Sequence, residues 1–402
     1  MPDMDFYKSL IRKADTKMLL LVADGLGGLA REPGGKTELE TANTPNLDKL
    51  AREGTCGLLD PVSPGITPGS GPAHLALFGY DPITCNVGRG LLSALGVGFP
   101  IAHGDVAARI NFCTVDADGR VTDRRAGRIA TEKNRGLIAK MRKIAVKGVE
   151  IFLDSEKEHR AVVIFRGEGL YDGLNDTDPQ AVGVKPHDVK AADKKSEKTA
   201  KIVRDWLDKV ARTLADEHPA NMVLLRGFAR HEAFVSMEAL HGIRCGAIAT
   251  YPMYKGVAKL VGMHVVECGQ EPEDEVEALK KSFGDYDFFY VHYKKTDSRG
   301  EDGDFDAKVK EIEHFDALVA PIRELKFDVI AVTCDHSTPA VLKAHSWHPC
   351  PLILWSKYER ADACERYSEL ECATKGGLGR LASATLLPLM LAAAMRLEKF
   401  GA

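Results

Sequence analysis

No stretch of this 402-residue chain is long and apolar enough to span a bilayer. The longest candidate, L-A-S-A-T-L-L-P-L-M-L-A-A-A-M near the C-terminus, runs for fifteen residues and is interrupted by Pro388, whereas a helical span needs roughly 20. The N-terminus M-P-D-M-D-F-Y-K-S-L lacks the basic segment and following apolar run of a secretory leader. Charge of one sign is not in surplus either: 54 basic and 58 acidic side chains leave a formal −4. That balance gives no long-range field to recruit nucleic acid or an anionic membrane surface. C-x-x-C pairs are missing, and the nine cysteines are odd in number. Such usage excludes a disulfide framework and suits reduced thiols, so the expected compartment is the cytoplasm. There is no fixed-period repeat and no low-complexity tract, which excludes a solenoid. The nearest approach to a phosphate-binding G-x-x-x-x-G-K-[ST] loop is A-R-E-P-G-G-K-T, with Ala30 at the first glycine position and a stiffening Pro33 inside the loop.

What is present is an alternation of β-branched runs with amphipathic stretches over a 45% apolar composition. This predicts an α/β fold, a mostly parallel sheet sandwiched by helices, in two or three domains. The first strand covers Lys17 to Ala23. A helix follows in T-P-N-L-D-K-L-A-R-E-G, with Thr44 as N-cap, Pro45 as its first residue and Gly54 as its stop. Residues 60–72 hold four prolines and three glycines, a rigid loop that delivers Ser70 to an apolar helix expected from about Ala73. From about Phe99 to Arg230 the texture changes: arginines, a lysine-rich stretch from Lys185 to Lys201 and shorter strands such as A-V-V-I-F. We read residues 99–230 as a smaller inserted α/β domain for substrate binding, and 1–98 with 231–402 as a metal-binding core.

Residues of metal-ligand type fall just after the strand-like runs. L-L-L-V-A-D-G ends on Asp24, F-F-Y-V-H-Y-K-K-T-D on Asp297 with Glu301 four residues later, and V-I-A-V-T-C-D-H on Asp335 and His336, ahead of His345 and His348. Carboxylates and imidazoles at the carboxyl ends of parallel strands are how α/β enzymes build a two-metal site, and Ser70 in P-G-S-G-P-A-H is the nucleophile such a site would activate. Each position also has a plainer reading. Asp24 could be a turn cap, Asp335–His336 a buried structural pair, and T-D-S-R-G-E-D-G-D a solvated acidic turn rather than a regular helix. His345 and His348 could be polar loop residues. Arg109 and the cluster Asp123, Arg124, Arg125 and Arg128 in D-R-R-A-G-R point to an anionic substrate, since guanidinium forks bind phosphate and carboxylate bidentately. Their plain alternative is a solvated basic face. Lys255 in Y-P-M-Y-K-G-V-A either reaches a phosphate or is simply exposed.

These motifs, spread over nearly the whole chain, resemble one family. V-A-D-G-L-G, T-A-N-T-P-N-L-D-K-L-A, S-P-G-I-T-P-G-S-G-P-A-H-L-A-L-F-G-Y-D-P, D-R-R-A-G-R, Y-K-G-V-A-K-L-V-G-M, K-T-D-S-R-G-E-D-G-D-F and C-D-H-S-T-P with H-S-W-H-P-C-P are similar to the cofactor-independent phosphoglycerate mutases. The likeness is to their shorter archaeal-type branch, within the alkaline-phosphatase superfamily. The resemblance implies an isomerase of glycolysis and gluconeogenesis that interconverts 3- and 2-phosphoglycerate through a phosphoserine on Ser70, without bisphosphoglycerate. It implies one divalent metal on Asp24, Ser70, Asp335 and His336 and a second on Asp297, Glu301 and His345, with His348 as a nearby polar contact. Manganese is the expected ion, with magnesium, cobalt and zinc as alternatives. Arg109, Arg124, Arg125 and Arg128 would clamp the substrate, with domain closure excluding water. The partner expected is a small phosphorylated substrate, with no nucleic acid and no membrane. One departure stands out: G-E-D-G replaces the expected G-H-D-G, so Glu301 stands where a histidine ligand is expected, which favours harder ions over zinc. The alternative function is a homoserine-kinase-like phosphotransferase or a phosphomonoesterase with the same serine and metals. A metal-stabilised binding protein without catalysis is the non-enzymatic reading.

Overall fold

The computed structural model describes residues 4–85, 87–232 and 234–401. Thirteen strands occur among these residues: β1 Met18–Ala23, β2 Thr55–Asp60, β3 Val106–Val115, β4 Val121–Asp123, β5 Glu150–Ser155, β6 Arg160–Arg166, β7 Met222–Arg230, β8 Cys245–Ala249, β9 His264–Val265, β10 Phe288–Tyr293, β11 Val329–Thr333, β12 Cys350–Ser356 and β13 Gly379–Ala382. The chain divides into two compact units, 1–86 with 235–402 and 87–234.

The first unit is built on an eight-stranded sheet in the order β13-β2-β12-β11-β1-β10-β8-β9. β12 pairs antiparallel with β11 and β2, and every other pairing is parallel. The central strands M-L-L-L-V-A and F-F-Y-V-H-Y are buried at every residue, as strands covered by helices on both faces must be. The helix Pro45–Glu53 starts after Thr44 and stops at Gly54 as expected, although the Thr44 side chain makes no capping bond. The helix after the proline-rich loop begins at Ser70 itself rather than Ala73 and runs to Leu77, so the serine occupies the first helical turn. The acidic motif also departs from expectation. Lys295–Asp302 is a two-turn helix, closed by Gly303 in the left-handed conformation, because a glycine at that cap ends a helix without steric cost.

The second unit is a five-stranded sheet in which β3 pairs with β4, β6 and β7 and β6 with β5, all antiparallel. Helices Thr131–Met141 and Glu197–Leu214 supply apolar faces to a core that includes Phe165, Trp206 and Phe112. This unit begins at 87 rather than 99 because the helix Arg89–Gly96 lies on it. A side chain at Gly90 would meet the Ala107–Ala108 backbone of β3 within 2.6 Å, so the approach requires glycine.

Candidate active site

Asp24 leaves β1 at its carboxyl end, and its backbone N–H donates to Tyr293 O at 2.9 Å. The next residue, Gly25, has φ +63°, and a Cβ there would come within 2.5 Å of Thr338 Oγ1 and 2.7 Å of Asp297 Oδ1. Only glycine lets the turn after β1 pass this close to the ends of β10 and β11. Lys308, fully buried on the helix Phe305–Arg323, ties the same turns together by donating to Gly27 O (3.0 Å) and Thr338 O (2.9 Å).

These turns gather Asp24, Asp297, Asp335 and His336, all buried, with Ser70 and His345 half-exposed beside them. Two groups have ligand atoms within 4.8 Å of one another: Asp24, Asp335 and His336, and Asp297, His336 and His345. The Ser70 hydroxyl lies 3.2 Å from His336 Nε2. His345 Nδ1 donates to Pro68 O at 3.0 Å, and its Nε2 lies 3.8 Å from Asp297 Oδ1. The His336 and His345 rings stack at 3.6 Å. Glu301 follows Asp297 by one helical turn, on the solvent side, and burial together with the Asp297 carboxylate raises its pKa. His348 bonds Ser346 Oγ at 3.0 Å, stacks on Trp347 and belongs to neither ligand group.

The hydrogen bonds around His336 test whether a cation fits. The Thr338 hydroxyl donates to Asp297 Oδ1 at 2.6 Å, so its oxygen must accept from His336 Nδ1–H at 3.0 Å. His336 Nε2 then carries the ring's lone pair and accepts from the Ser70 hydroxyl at 3.2 Å, and burial holds this ring well below the usual imidazole range, in its neutral form. That lone pair faces Asp335 Oδ2 at 3.1 Å and Asp24 Oδ1 at 3.4 Å, and neither oxygen has a hydrogen-bond partner. A lone pair set against two orphaned, buried carboxylate oxygens is repulsive unless a proton or a cation lies among them. Two carboxylates and an imidazole suit a hard or borderline divalent ion.

Several residues of this site escaped the sequence reading. Lys294 donates to Asp24 Oδ2 at 2.9 Å and to Asp297 Oδ2. Burial opposes its charge, but the two carboxylates raise its pKa well above the usual lysine range. Burial likewise opposes ionisation of Asp24, yet Lys294, His292 and His336 hold its carboxyl well below the usual range. Asp335 goes the other way, pushed up by burial and then by Asp24 and Asp297. Tyr254 donates to Asp24 and stacks on His292 at 3.6 Å. His74, one turn after Ser70, donates from Nδ1 to Ser70 O at 2.8 Å, and burial lowers its pKa to about 3. Lys294 and Tyr254 each adjoin a residue that the motifs singled out. Only the strand register, which sequence does not show, assigns them to the site face.

Lys255 lies on the helix Pro252–Leu260, 3.6 Å from Glu267. The anion-binding candidates lie in the second unit. Arg124 makes a bidentate pair with the buried Asp178 (2.9 and 2.8 Å). Asp123 spends its carboxylate on the backbone N–H groups of Arg125 and Gly127, so it shapes the turn that presents Arg125 and Arg128, both exposed. Arg109 sits 3.5 Å from Glu156 and directly opposite Arg226 across β3 and β7. Burial, then Arg226, Arg109 and Arg160, lower the pKa of Arg89. Glu156 pairs with Arg109, and Asp176 and Asp178 with Arg226, so the four guanidiniums lie among carboxylates that offset part of their repulsion. Arg89, Arg160 and Arg226 were not among the sequence candidates, because cross-strand pairing brings them together.

Comparison with known proteins agrees with the arrangement. Residues 51–221 match the family model described as 2,3-bisphosphoglycerate-independent phosphoglycerate mutase. A Thermus thermophilus protein named as a probable 2,3-bisphosphoglycerate-independent phosphoglycerate mutase is 52% identical over 407 residues, 99% of this chain and 100% of that one. One of the same name from Aquifex aeolicus is 48% identical over 409 residues, again 99% and 100%. Among solved structures, a Pyrococcus horikoshii protein superposes with TM-score 0.83 at 30% identity, over 96% of this chain and 99% of that one. The cofactor-independent phosphoglycerate mutase of Thermoplasma acidophilum does so with TM-score 0.70 at 28% identity, over 94% and 100%. Full-length identity at this level, with carboxylates, imidazoles and a serine gathered at the strand ends, makes the chain a member of the 2,3-bisphosphoglycerate-independent phosphoglycerate mutase family, a family of isomerases.

Proposed function

We propose that the chain interconverts 3-phosphoglycerate and 2-phosphoglycerate in glycolysis and gluconeogenesis, without bisphosphoglycerate, through a phosphoserine on Ser70. The observation that carries this reading is the His336 Nε2 lone pair and the two orphaned oxygens of Asp24 and Asp335, with the Ser70 hydroxyl 3.2 Å from that nitrogen.

Asp24, Ser70, Asp335 and His336 would hold one divalent ion, manganese in our reading, and Asp297, Glu301 and His345 a second. When bound, such ions stabilise charge on phosphoryl oxygens and lower the effective pKa of a hydroxyl. The chain's own residues do the rest. Ser70 Oγ attacks phosphorus, its proton passes to the substrate oxygen as the bond from phosphorus to that oxygen breaks, and glycerate stays bound as the displaced alcohol. The other glycerate hydroxyl then attacks the phosphoserine and restores Ser70. His74 fixes the serine by holding its carbonyl, and the first-turn amides of the helix Ser70–Leu77 favour negative charge beside it. Arg109, Arg125 and Arg128, with Arg89, Arg160 and Arg226, bind the substrate's carboxylate and phosphate, and Arg124 takes part through the turn it anchors on Asp178. Among the described residues no helix is long and apolar enough to cross a membrane, in keeping with the cytoplasmic location we propose.

The test is an enolase-coupled assay of 3-phosphoglycerate with manganese and no bisphosphoglycerate, beside a free-phosphate assay. Conversion without phosphate release is expected. Phosphate release without conversion would replace the mutase by a phosphomonoesterase.

A further inference from the structure

A second cluster of metal-ligand type lies away from the strand-end carboxylates. Cys56 on β2, Asp362 in the loop after β12 and Cys364 two residues later place their ligand atoms within 4.8 Å of one another. Cys372, on the helix Glu369–Thr374, brings its thiol into hydrogen-bond contact with that of Cys56. All three cysteines are buried, at 0%, 2% and 0% exposure for Cys56, Cys364 and Cys372.

We propose that Cys56, Cys364, Cys372 and Asp362 form a structural site for a thiophilic divalent ion of the zinc class, separate from the ions of the active site. A tetrahedral ion with bonds of about 2.3 Å to sulfur needs ligand atoms roughly 3.8 Å apart, so Cys56, Asp362 and Cys364, within 4.8 Å of one another, close on an ion with shifts of about an ångström, and Cys372 joins from its contact with Cys56. The carboxylate is already oriented. Asp362 Oδ2 accepts from the backbone N–H of Cys56 (2.6 Å) and Gly377 (2.8 Å), with the Thr55 hydroxyl at 3.3 Å. Its Oδ1 accepts from Cys364 N at 3.0 Å, and the Cys364 thiol also bonds this carboxylate. Backbone donors on a carboxylate are the usual supporting shell of a metal ligand. The thiols engage one another and the carboxylate, Cys364 with both Asp362 and Cys56, and their backbone bonds are long. Cys364 donates to Glu371 O at 3.4 Å and Cys372 to Leu352 O at 3.8 Å, near the outer range for sulfur. On binding, each thiol would give its proton to solvent and become a thiolate. Burial, with the Asp362 carboxylate beside it, pushes the Cys364 thiol up to about 12, and an ion among the sulfurs reverses that cost. The site would staple the segment from Asp362 to Gly377 onto the sheet at β2, where Leu378 N already donates to Cys56 O at 3.0 Å.

The test uses the full chain, stripped by chelation and titrated with cobalt(II). Neither active-site ligand group contains a cysteine, so a thiolate-to-cobalt charge-transfer band in the near ultraviolet can arise only from a sulfur site. The wild type should develop that band and Asp297→Asn should keep it, whereas Cys364→Ser and Cys372→Ser should lose it. Zinc should raise the melting temperature of Asp297→Asn by a few degrees more than that of the double variant Asp297→Asn with Cys364→Ser. A wild-type spectrum with no charge-transfer band would overturn the proposal, whether or not the cysteine variants fold.

Discussion

Replacing Lys294 by methionine should separate what the ammonium does for the folded chain from what divalent ions do. Lys294 is the cation that lies between Asp24 and Asp297, its side chain 23% exposed and those of its partners 0% and 2%. At an effective dielectric near 20, a pair at 2.9 Å attracts by about 6 kcal/mol. Desolvation of the ammonium takes back several kcal/mol, and removing one partner of such a pair typically costs about 3–5 kcal/mol. Lys294→Met should therefore lower the stability of the metal-free protein by about 3 kcal/mol or more. The same change removes a positive neighbour from the ion site, so manganese should bind more tightly, by at least about tenfold or 1.4 kcal/mol. Chemical denaturation of metal-free and manganese-loaded protein, with titration calorimetry for the ion, measures both. The destabilisation should be large without metal and mostly absent with it. Equal losses in the two states, or an unchanged manganese affinity, would refute the reasoning.

The other predictions concern single groups. Glu301→Gln should reduce one of two bound ions in elemental analysis, and an unchanged stoichiometry of two would remove Glu301 from the ligand set. Arg125→Ala should raise KM severalfold without loss of stability, since the side chain is exposed, whereas Arg124→Ala should do both because it strips the buried Asp178 of its bidentate partner. Equal melting temperatures for the two variants would contradict this assignment. His241 is buried with both ring nitrogens unbonded, and burial lowers its pKa to about 4. Its unfolded value lies near 6.5, so the unfolded state binds the extra proton between about pH 6.5 and 4. The neutral ring's contribution is present in full above 6.5 and lost as pH falls through that window. His241→Leu should flatten the pH dependence of stability there by up to about one proton; an unaltered slope would show that the ring is solvated.

Much of the candidate site was legible because carboxylates and imidazoles at parallel strand ends follow directly from strand periodicity. Asp24, Asp297, Asp335 and His336 each follow an apolar run, and in the structure His336 adjoins the other three. Helix boundaries were harder. Ser70 begins its helix because Gly69 takes the extended cap conformation, a choice that the flanking prolines do not reveal. The acidic motif reads as a turn by composition, with Gly300 and Gly303 inside it, yet Gly303 is the cap that ends a helix. Residues made functional by partners from distant segments stayed hidden. Lys294, Tyr254 and His74 matter because of what faces them across the sheet ends, and Arg226 because it lies opposite Arg109. The cysteines illustrate the same limit: the absence of C-x-x-C spacing correctly excludes a disulfide framework, and all nine are free, but it gives no hint that β2 and the segment around Cys364 and Cys372 bring three of them together.

The most direct test of the account is the turnover of Ser70→Ala with manganese, measured by coupled conversion of 3-phosphoglycerate beside wild type, with metal content and melting temperature recorded on the same samples. The account predicts loss of conversion by several orders of magnitude with fold and metal content largely kept. Full mutase activity in Ser70→Ala would contradict it.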